Sequence, residues 1–294
     1  LHCASAVMGL QRTYRRVNQR KFERDAVGER MEIDLRFDEV MGAHQALSRI
    51  LDKEFKSVVM AVRVGDALRR LQPVFENLAK EHDALLERHA KRDEDGAIKY
   101  KNENKTQIDA ADTLDDALNE FFGGTIQVSL PKLEAAGCAL SEGQLVMADV
   151  APICFLFDKG WEAIDAPLSR QGVMDTLQAF DGLLSESFES SALVKIAQAR
   201  NALLGGAREI LIGRREIIQW NAPRGDDGEI LYSDKEAKIV AESQELQDAV
   251  DAYMKETVIV PMPPLRAEDF SLPDGKGLSA RRMYGLVPVL SIVT

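Results

Sequence analysis

Apolar side chains recur every seven residues at Val64, Leu71, Leu78 and Leu85. That spacing returns to one helix face every two turns and predicts a long amphipathic helix over residues 58–91. Leu68 and Phe75 widen its stripe. The same spacing reappears 132 residues later at Ile196, Leu203, Ile210 and Ile217. There Arg200 and Ala207 replace Leu68 and Phe75, so the second helix is expected to be narrower and wetter. Pro73 interrupts the first pattern and Gly205 stands at its counterpart, which predicts a bend or break in both helices.

Elsewhere the period is two. Met31, Ile33, Leu35 and Phe37 alternate with polar residues and predict a first strand. Residues 125–130 (TIQVSL) alternate as well, while 257–262 (TVIVPM) are nearly continuous apolar, so the later strand is expected to be more deeply covered. Pro261 and Pro263 confine it to a sheet edge or a strand end.

The shift of 132 extends to identical residues. Asp95, Gly96, Ile98, Tyr100, Leu114, Asp116, Ala117, Thr125, Val128, Pro131 and Leu133 match Asp227, Gly228, Ile230, Tyr232, Leu246, Asp248, Ala249, Thr257, Val260, Pro263 and Leu265. These are 11 identities over the 39 positions from 95 to 133, where unrelated sequences of average composition give roughly two or three. Farther on, LSEGQLVMADV from Leu140 resembles LSARRMYGLVP from Leu278, at a shift of 138. The six additional residues fall in the turn-rich SLPDGKG at 271–277. The pattern predicts an internal duplication. Residues 31–153 form a first repeat, 154–170 a joint and 171–294 a second repeat, preceded by a basic arm or non-native extension at 1–30. Each repeat reads as a helix, a long helix, a turn, a second helix and a strand. In the first these fall near 39–53, 58–91, 93–97, 106–122 and 125–130, with a last helix near 141–150. The fold class is α+β, predominantly helical.

Charge sets the arm apart. Residues 1–30 carry seven basic and three acidic side chains, a local +4, so residues 31–294 hold −15 of the net −11. The mildly apolar piece precedes the arginines, the reverse of a secretory signal. Met31 opens the first strand pattern, so the reading favoured for 1–30 is sequence upstream of a natural start, against an alternative in which Arg12–Arg24 touch nucleic acid. Apart from that arm, the acidic balance argues against broad binding to nucleic acid or anionic membrane. No apolar run reaches the length of a membrane-spanning helix. Three cysteines (Cys3, Cys138 and Cys154) form no disulfide framework and point to a reducing compartment.

No constellation of catalytic, cofactor-binding or metal-ligating residues emerges. His82 and His89 are seven residues apart, two turns where a ligand pair needs one, and acidic and basic neighbours mark that face as solvated. DEDG at 93–96 lacks the alternating ligands of a calcium loop, so Asp95 and Gly96, with Asp227 and Gly228, read as tight turns needing positive φ. Cys138 and Cys154 are expected to be buried small hydrophobes. The Gly123–Gly124 and Gly205–Gly206 pairs lack the flanking Lys-Ser/Thr of a phosphate loop. Trp161 and Trp220 are candidate interface anchors, because tryptophan is enriched at binding hot spots; packing in the core or joint is the alternative for each.

The segment RVGDALRRLQPVFENLAKEHDALLERHAKRDEDG at 63–96, the helix ADTLDDALNEFF at 111–122 and TIQVSLPKL at 125–133 together resemble a family of small proteins, about one domain long, encoded by tailed phages and prophages and classed as a domain of unknown function. The resemblance covers most of the first repeat, and the second joins it through its match to the first. It implies a phage or prophage protein carrying two copies of the module and located in the cytoplasm of the infected bacterium or in the virion. No catalytic residue transfers with it. The expectation is therefore a non-enzymatic protein acting through protein contacts, as a virion or assembly component or an accessory factor. The alternatives are a phage inhibitor of a host protein, a nucleic-acid-associated packaging or regulatory protein using the arm, and an enzyme with dispersed catalytic residues. No cofactor and no membrane are expected. The chain is expected to be a monomer with pseudo-twofold halves, the fused form of an ancestral pair.

Overall fold

The computed structural model describes residues 29–94, 96, 98–99, 113–158, 160–234, 239–272 and 278–290. The arm up to residue 28, Cys3, Asp95, Tyr100, residues 106–112 of the expected second helix and most of the 271–277 insertion lie outside these. The chain is α+β and predominantly helical, with two-stranded antiparallel sheets. It divides into two compact units, one of residues 1–143 and 155–158, the other of 144–154 and 159–294.

In unit 1, strand β1 (Arg30–Arg36) leads directly into helix α1 (Phe37–Leu51), followed by the long helix α2 (Val58–His89), helix α3 (Leu114–Gly123) and strand β2 (Thr125–Pro131). β1 pairs antiparallel with β2, Ile33 opposite Val128 and Arg36 opposite Thr125. The alternation of MEIDLR puts Leu35 into the core and its polar neighbours outside. α1 contributes Val40, Ala43, Ala46, Leu47 and Ile50, all fully buried, against α2. The N-terminus of α2 is capped by Ser57, whose Oγ accepts from the Met60 amide at 3.2 Å.

Helix α2 runs unbroken through Pro73, and its counterpart at Ser190–Asn221 runs unbroken through Gly205, where the sequence predicted a bend or break in both. An interior proline costs about 3 kcal/mol through a lost hydrogen bond and a clash with the carbonyl four residues back. Pro73 is on the exposed side, and so is Arg69, whose carbonyl would have been its partner. Water can therefore satisfy the freed acceptor. On the opposite side Met60, Val64, Ala67, Leu71 and Leu78 are buried, each large one worth about 1.5–3 kcal/mol. Burial of that stripe outweighs the local defect.

Unit 2 opens with helix α4 (Met147–Val150) and continues with strand β3 (Ile164–Ser169), helix α5 (Arg170–Asp181), long helix α6 (Ser190–Asn221), strands β4 (Tyr232–Asp234) and β5 (Ile239–Val240), helix α7 (Gln244–Lys255), strand β6 (Thr257–Met262) and short helices α8 (Ala280–Tyr284) and α9 (Val287–Leu290). Of these, β3, α5, α6, α7 and β6 follow the order of unit 1, and among the described residues the β4–β5 ribbon and the last two helices have no counterpart there. α2 and α6 are each 32 residues long and begin and end 132 positions apart. β3 pairs antiparallel with β6, Ala166 opposite Val260, so β3 lies where the sequence reading placed part of the joint. The chain segment 144–154, of which that reading gave 144–153 to the first repeat and Cys154 to the joint, groups with unit 2.

Two expectations for the second half are corrected. α6 is not narrower and wetter: eight residues between Ala192 and Leu203 are buried, nearly all round the helix. The added cover comes from α4, which packs on α6 and is held by amide bonds from Met147 and Ala148 to the carbonyls of Glu186 and Leu184. Nor is β6 more deeply covered than β2. Both alternate, and Ile259 is 57% exposed, because a two-stranded sheet packed on one helix has one wet face whatever residues stand there.

One junction shows how the two units keep the same backbone with different side chains. The Phe37 amide donates to the Gly124 carbonyl at 3.0 Å, and Arg170 does the same to Glu256 at 3.0 Å. In unit 1 a Cβ on residue 124 would come within 2.7 Å of the Phe37 ring, so only glycine fits. In unit 2 the ring is replaced by Arg170, which binds Glu256 at 2.7 Å and lies 3.7 Å over the Tyr253 ring.

Buried polar groups differ between the units. Asp66 is 5% exposed and accepts hydrogen bonds from Arg70 at 2.9 Å and from Arg69. Its position in unit 2 is taken by Gln198, which accepts from Trp161 Nε1 at 2.7 Å and donates to the Cys154 carbonyl at 3.3 Å. Burial alone would raise the Asp66 pKa; the hydrogen bonds and positive charges of Arg70 and Arg69 outweigh it and leave the carboxyl below its ordinary value. Because folding depresses this pKa, the ion pairs contribute fully above the unfolded carboxyl's value and lose their contribution as pH falls through the folded one. Asp66→Asn is therefore expected to cost about 1–3 kcal/mol at pH 7 and progressively less below about pH 4; urea unfolding of both proteins across that range measures it, and a pH-independent difference would contradict it. Thr176, fully buried in α5, has a hydroxyl without a hydrogen-bond partner among the described residues, and its counterpart in α1 is Ala43. Thr176→Val is expected to raise stability by about 1 kcal/mol by removing that unsatisfied group, read as a higher urea midpoint with an unchanged m-value.

Candidate interaction surface

The far end of α6 carries the feature that packing does not explain. α6 ends at Asn221, whose side chain donates back to the Ile217 carbonyl at 2.9 Å. The chain then turns at Gly228, φ 79°, with the Gly228 amide on the Gly225 carbonyl, the Glu229 amide on Asp227 Oδ1 at 3.0 Å and Arg224 Nη1 on the Gly228 carbonyl at 2.9 Å. The positive φ explains the glycine, and the Asp227 side chain explains the aspartate. Unit 1 makes the same turn at Gly96, φ 83°, where Arg92 Nη1 donates to the Gly96 carbonyl at 2.9 Å. Isolated bridges close both loops, Arg92 with Ile98 and Arg224 with Ile230.

Beyond the turn, the Leu231 amide returns to the Pro223 carbonyl at 2.8 Å, and the Ala241 amide to Leu231 at 2.8 Å, so the β4–β5 ribbon is tied to the end of α6. This tip is exposed and apolar. Trp220 is 83% exposed, Ile239 55% and Leu231 46%, with Tyr232 beside them. At the corresponding places of unit 1 stand Arg88 for Trp220 and Lys99 for Leu231. The fold therefore does not require apolar residues there. A tryptophan with most of its surface in water forgoes the burial that its 150–250 Å² could supply, and the helix end and the ribbon tied to it each leave large apolar residues in water, which makes this end of unit 2 the candidate interaction surface.

The two tryptophans named from the sequence thus part company. Trp220 is exposed at the tip; Trp161 is half-buried, with its indole N–H on the buried Gln198. Leu231 and Ile239 escaped the sequence reading, although setting each against its counterpart at the 132 shift would have marked Leu231 as apolar where the twin is charged. His89 Nδ1 meets the Thr113 hydroxyl at 3.0 Å, and His82 lies against Phe121 and Phe122; the two do not meet at a common ligand position. Cys138 and Cys154 are buried, and burial pushes the Cys138 thiol up to about 12, far from a reactive thiolate. Among the described residues no group of three His, Cys, Asp or Glu side chains could hold a metal ion, and no helix is long and apolar enough to cross a membrane. Comparison of the chain with protein-family models, curated proteins and solved structures found no match.

Proposed function

We propose that the protein is a non-enzymatic binding protein that works through protein contacts, with the Trp220 tip as its anchor. The observation that carries this reading is the exposure of Trp220 at the end of α6 and of Leu231 and Ile239 at the ribbon tied to it, where unit 1 is polar at the first two of these positions. Interface energy concentrates in a few residues of this kind, tryptophan foremost, seated in a pocket of the partner and ringed by polar groups that exclude water. Arg224, Asp227 and Glu229 supply such a rim. The acidic body, −15 over residues 31–294, favours a partner with a basic or neutral face.

The recurrence of element order, turn and strand register in the two units supports descent from one duplicated module, and with it the resemblance to single-module proteins of tailed phages and prophages. On that reading the partner is a phage structural or assembly protein, or a host protein met in the infected cell. The nucleic-acid alternative rests on the arginines between positions 12 and 24, outside the described residues.

Retention of a partner from a phage-infected bacterial lysate by the intact chain and by Trp220→Arg tests the tip. A protein held by the first and lost by the second, with melting temperatures within a few degrees, is the expected result; equal retention by both, or none by either, overturns it. Truncation of a hot-spot tryptophan costs about 2 kcal/mol or more, some thirtyfold in affinity. We also propose that the chain is monomeric. Light scattering should give the mass of one chain, 32.6 kDa, and a twofold mass abolished by Trp220→Arg would instead assign the tip to self-association.

A further inference from the structure

Unit 2 contains a groove of about 360 Å³ between α5, α6 and α7, within the range of about 300–1,000 Å³ typical of small-molecule sites. Met174, Ile210, Val250 and Met254 give it an apolar lining, and Arg214 and Asp251 stand among its polar residues. α7 has apolar residues along one face yet buries none of them, so its groove-facing stripe is covered only in part.

The corresponding place in unit 1 is occupied by aromatic rings. His82, at the position of Arg214, lies 5.7 Å from Phe122, at the position of Met254, and 6.0 Å from Phe121, and the two phenylalanine rings meet edge to face at 5.2 Å. In unit 2 the aromatic residue is drawn off. Tyr253 donates its hydroxyl to the Ile210 carbonyl at 3.0 Å, a position open because residue 213 is glycine, where any Cβ would collide with that hydroxyl. Two unbranched methionines take up the lining, and methionine adapts its shape to varied apolar ligands.

The charges at the groove are not equivalent. Asp251 accepts a hydrogen bond from Gln247 Nε2 at 2.8 Å. Arg214 has no ion pair or hydrogen bond among the described residues, and it replaces the histidine that packs on the rings of unit 1. We propose that this groove binds a small amphiphilic anion, an apolar acyl or aryl body carrying one carboxylate, with the body against Met174, Val250 and Met254 and the carboxylate on the Arg214 guanidinium. A guanidinium matches a carboxylate in two-point geometry. The site is separate from the Trp220 tip, and either can fail without the other.

The test titrates decanoate, below its micellar concentration, into the full chain carrying 13C-labelled methionine methyl groups. Saturable shifts of the Met174 and Met254 methyls are expected, with Met41, the counterpart of Met174 in unit 1, unmoved. Arg214→Gln, a substitution at an exposed position, should weaken decanoate about tenfold or more while leaving decanol binding unchanged, and rising salt should weaken decanoate alone. No saturable shift at the two methionines, equal decanoate binding by Arg214→Gln, or tighter binding of decyltrimethylammonium than of decanoate would each overturn the proposal, the last by assigning the groove's charge preference to Asp251.

Discussion

A helix of 32 residues with apolar side chains along one face has to hide that face, and in both units everything else is arranged to do so. α2 and α6 supply the surface; the preceding helix covers one part and the outer strand of a two-stranded sheet another. The constraint is severe because the strands are too few to have a core of their own: a two-stranded ribbon is marginal in water until something packs on it. Strand and helix therefore stabilise each other. The backbone bond that brings the start of α1 to the end of α3, Phe37 to Gly124, recurs as Arg170 to Glu256 because that closure holds the first and last elements of a unit together.

What a sequence reveals under such a constraint is the face, and less often the cover. Val64, Leu71 and Leu78 announced themselves by spacing and are buried, as are Ile196, Leu203 and Ile210. Met31, Ile33 and Leu35 announced a strand by alternation, and the turn glycines were legible because a tight turn demands a positive φ. Local alternation misplaced Phe37, which opens α1 instead of ending β1, and the helix expected near 141–150 is only Met147–Val150; the larger errors concern cover. Pro73 was read as a breaker by a local rule, whereas the buried stripe on the opposite side decides the outcome. α6 was read as wet from Arg200, whose guanidinium in fact reaches Asp181 from the helix edge, while α4 covers a second side. Residues 144–150 were given to the first repeat by the resemblance of 140–150 to 278–288; the bonds of Met147 and Ala148 to Glu186 and Leu184 group them with unit 2, and a nonlocal pairing of that kind leaves no period in the sequence.

The candidate sites were legible to a lesser degree and for a different reason. Trp220 could be named because tryptophan is rare and expensive to leave in water, but sequence cannot tell an exposed tryptophan from one tied to a buried amide, and Trp161 is the latter. The groove was invisible because it arises from Gly213 admitting the Tyr253 hydroxyl, a relation between residues 40 apart.

Taken together, the two units act as each other's control. Where both need the same backbone, the residues are kept or exchanged in matched sets: Gly96 with Gly228, Phe37 and Gly124 for Arg170 and Glu256. Where the fold makes no demand, they diverge, and at the tip and the groove the divergence has a direction. Trp220 and Leu231 stand in water where unit 1 has Arg88 and Lys99, against the ordinary preference for burying such side chains; at the groove, methionines and an arginine without a partner among the described residues stand where unit 1 has an aromatic cluster. Random drift at solvated positions favours polar residues, since exposed apolar groups promote aggregation without stabilising the fold. The tip runs against that tendency, whereas the groove exchanges a half-buried histidine for an exposed arginine, so the apolar tip is the place in unit 2 where the fold alone does not explain the residues.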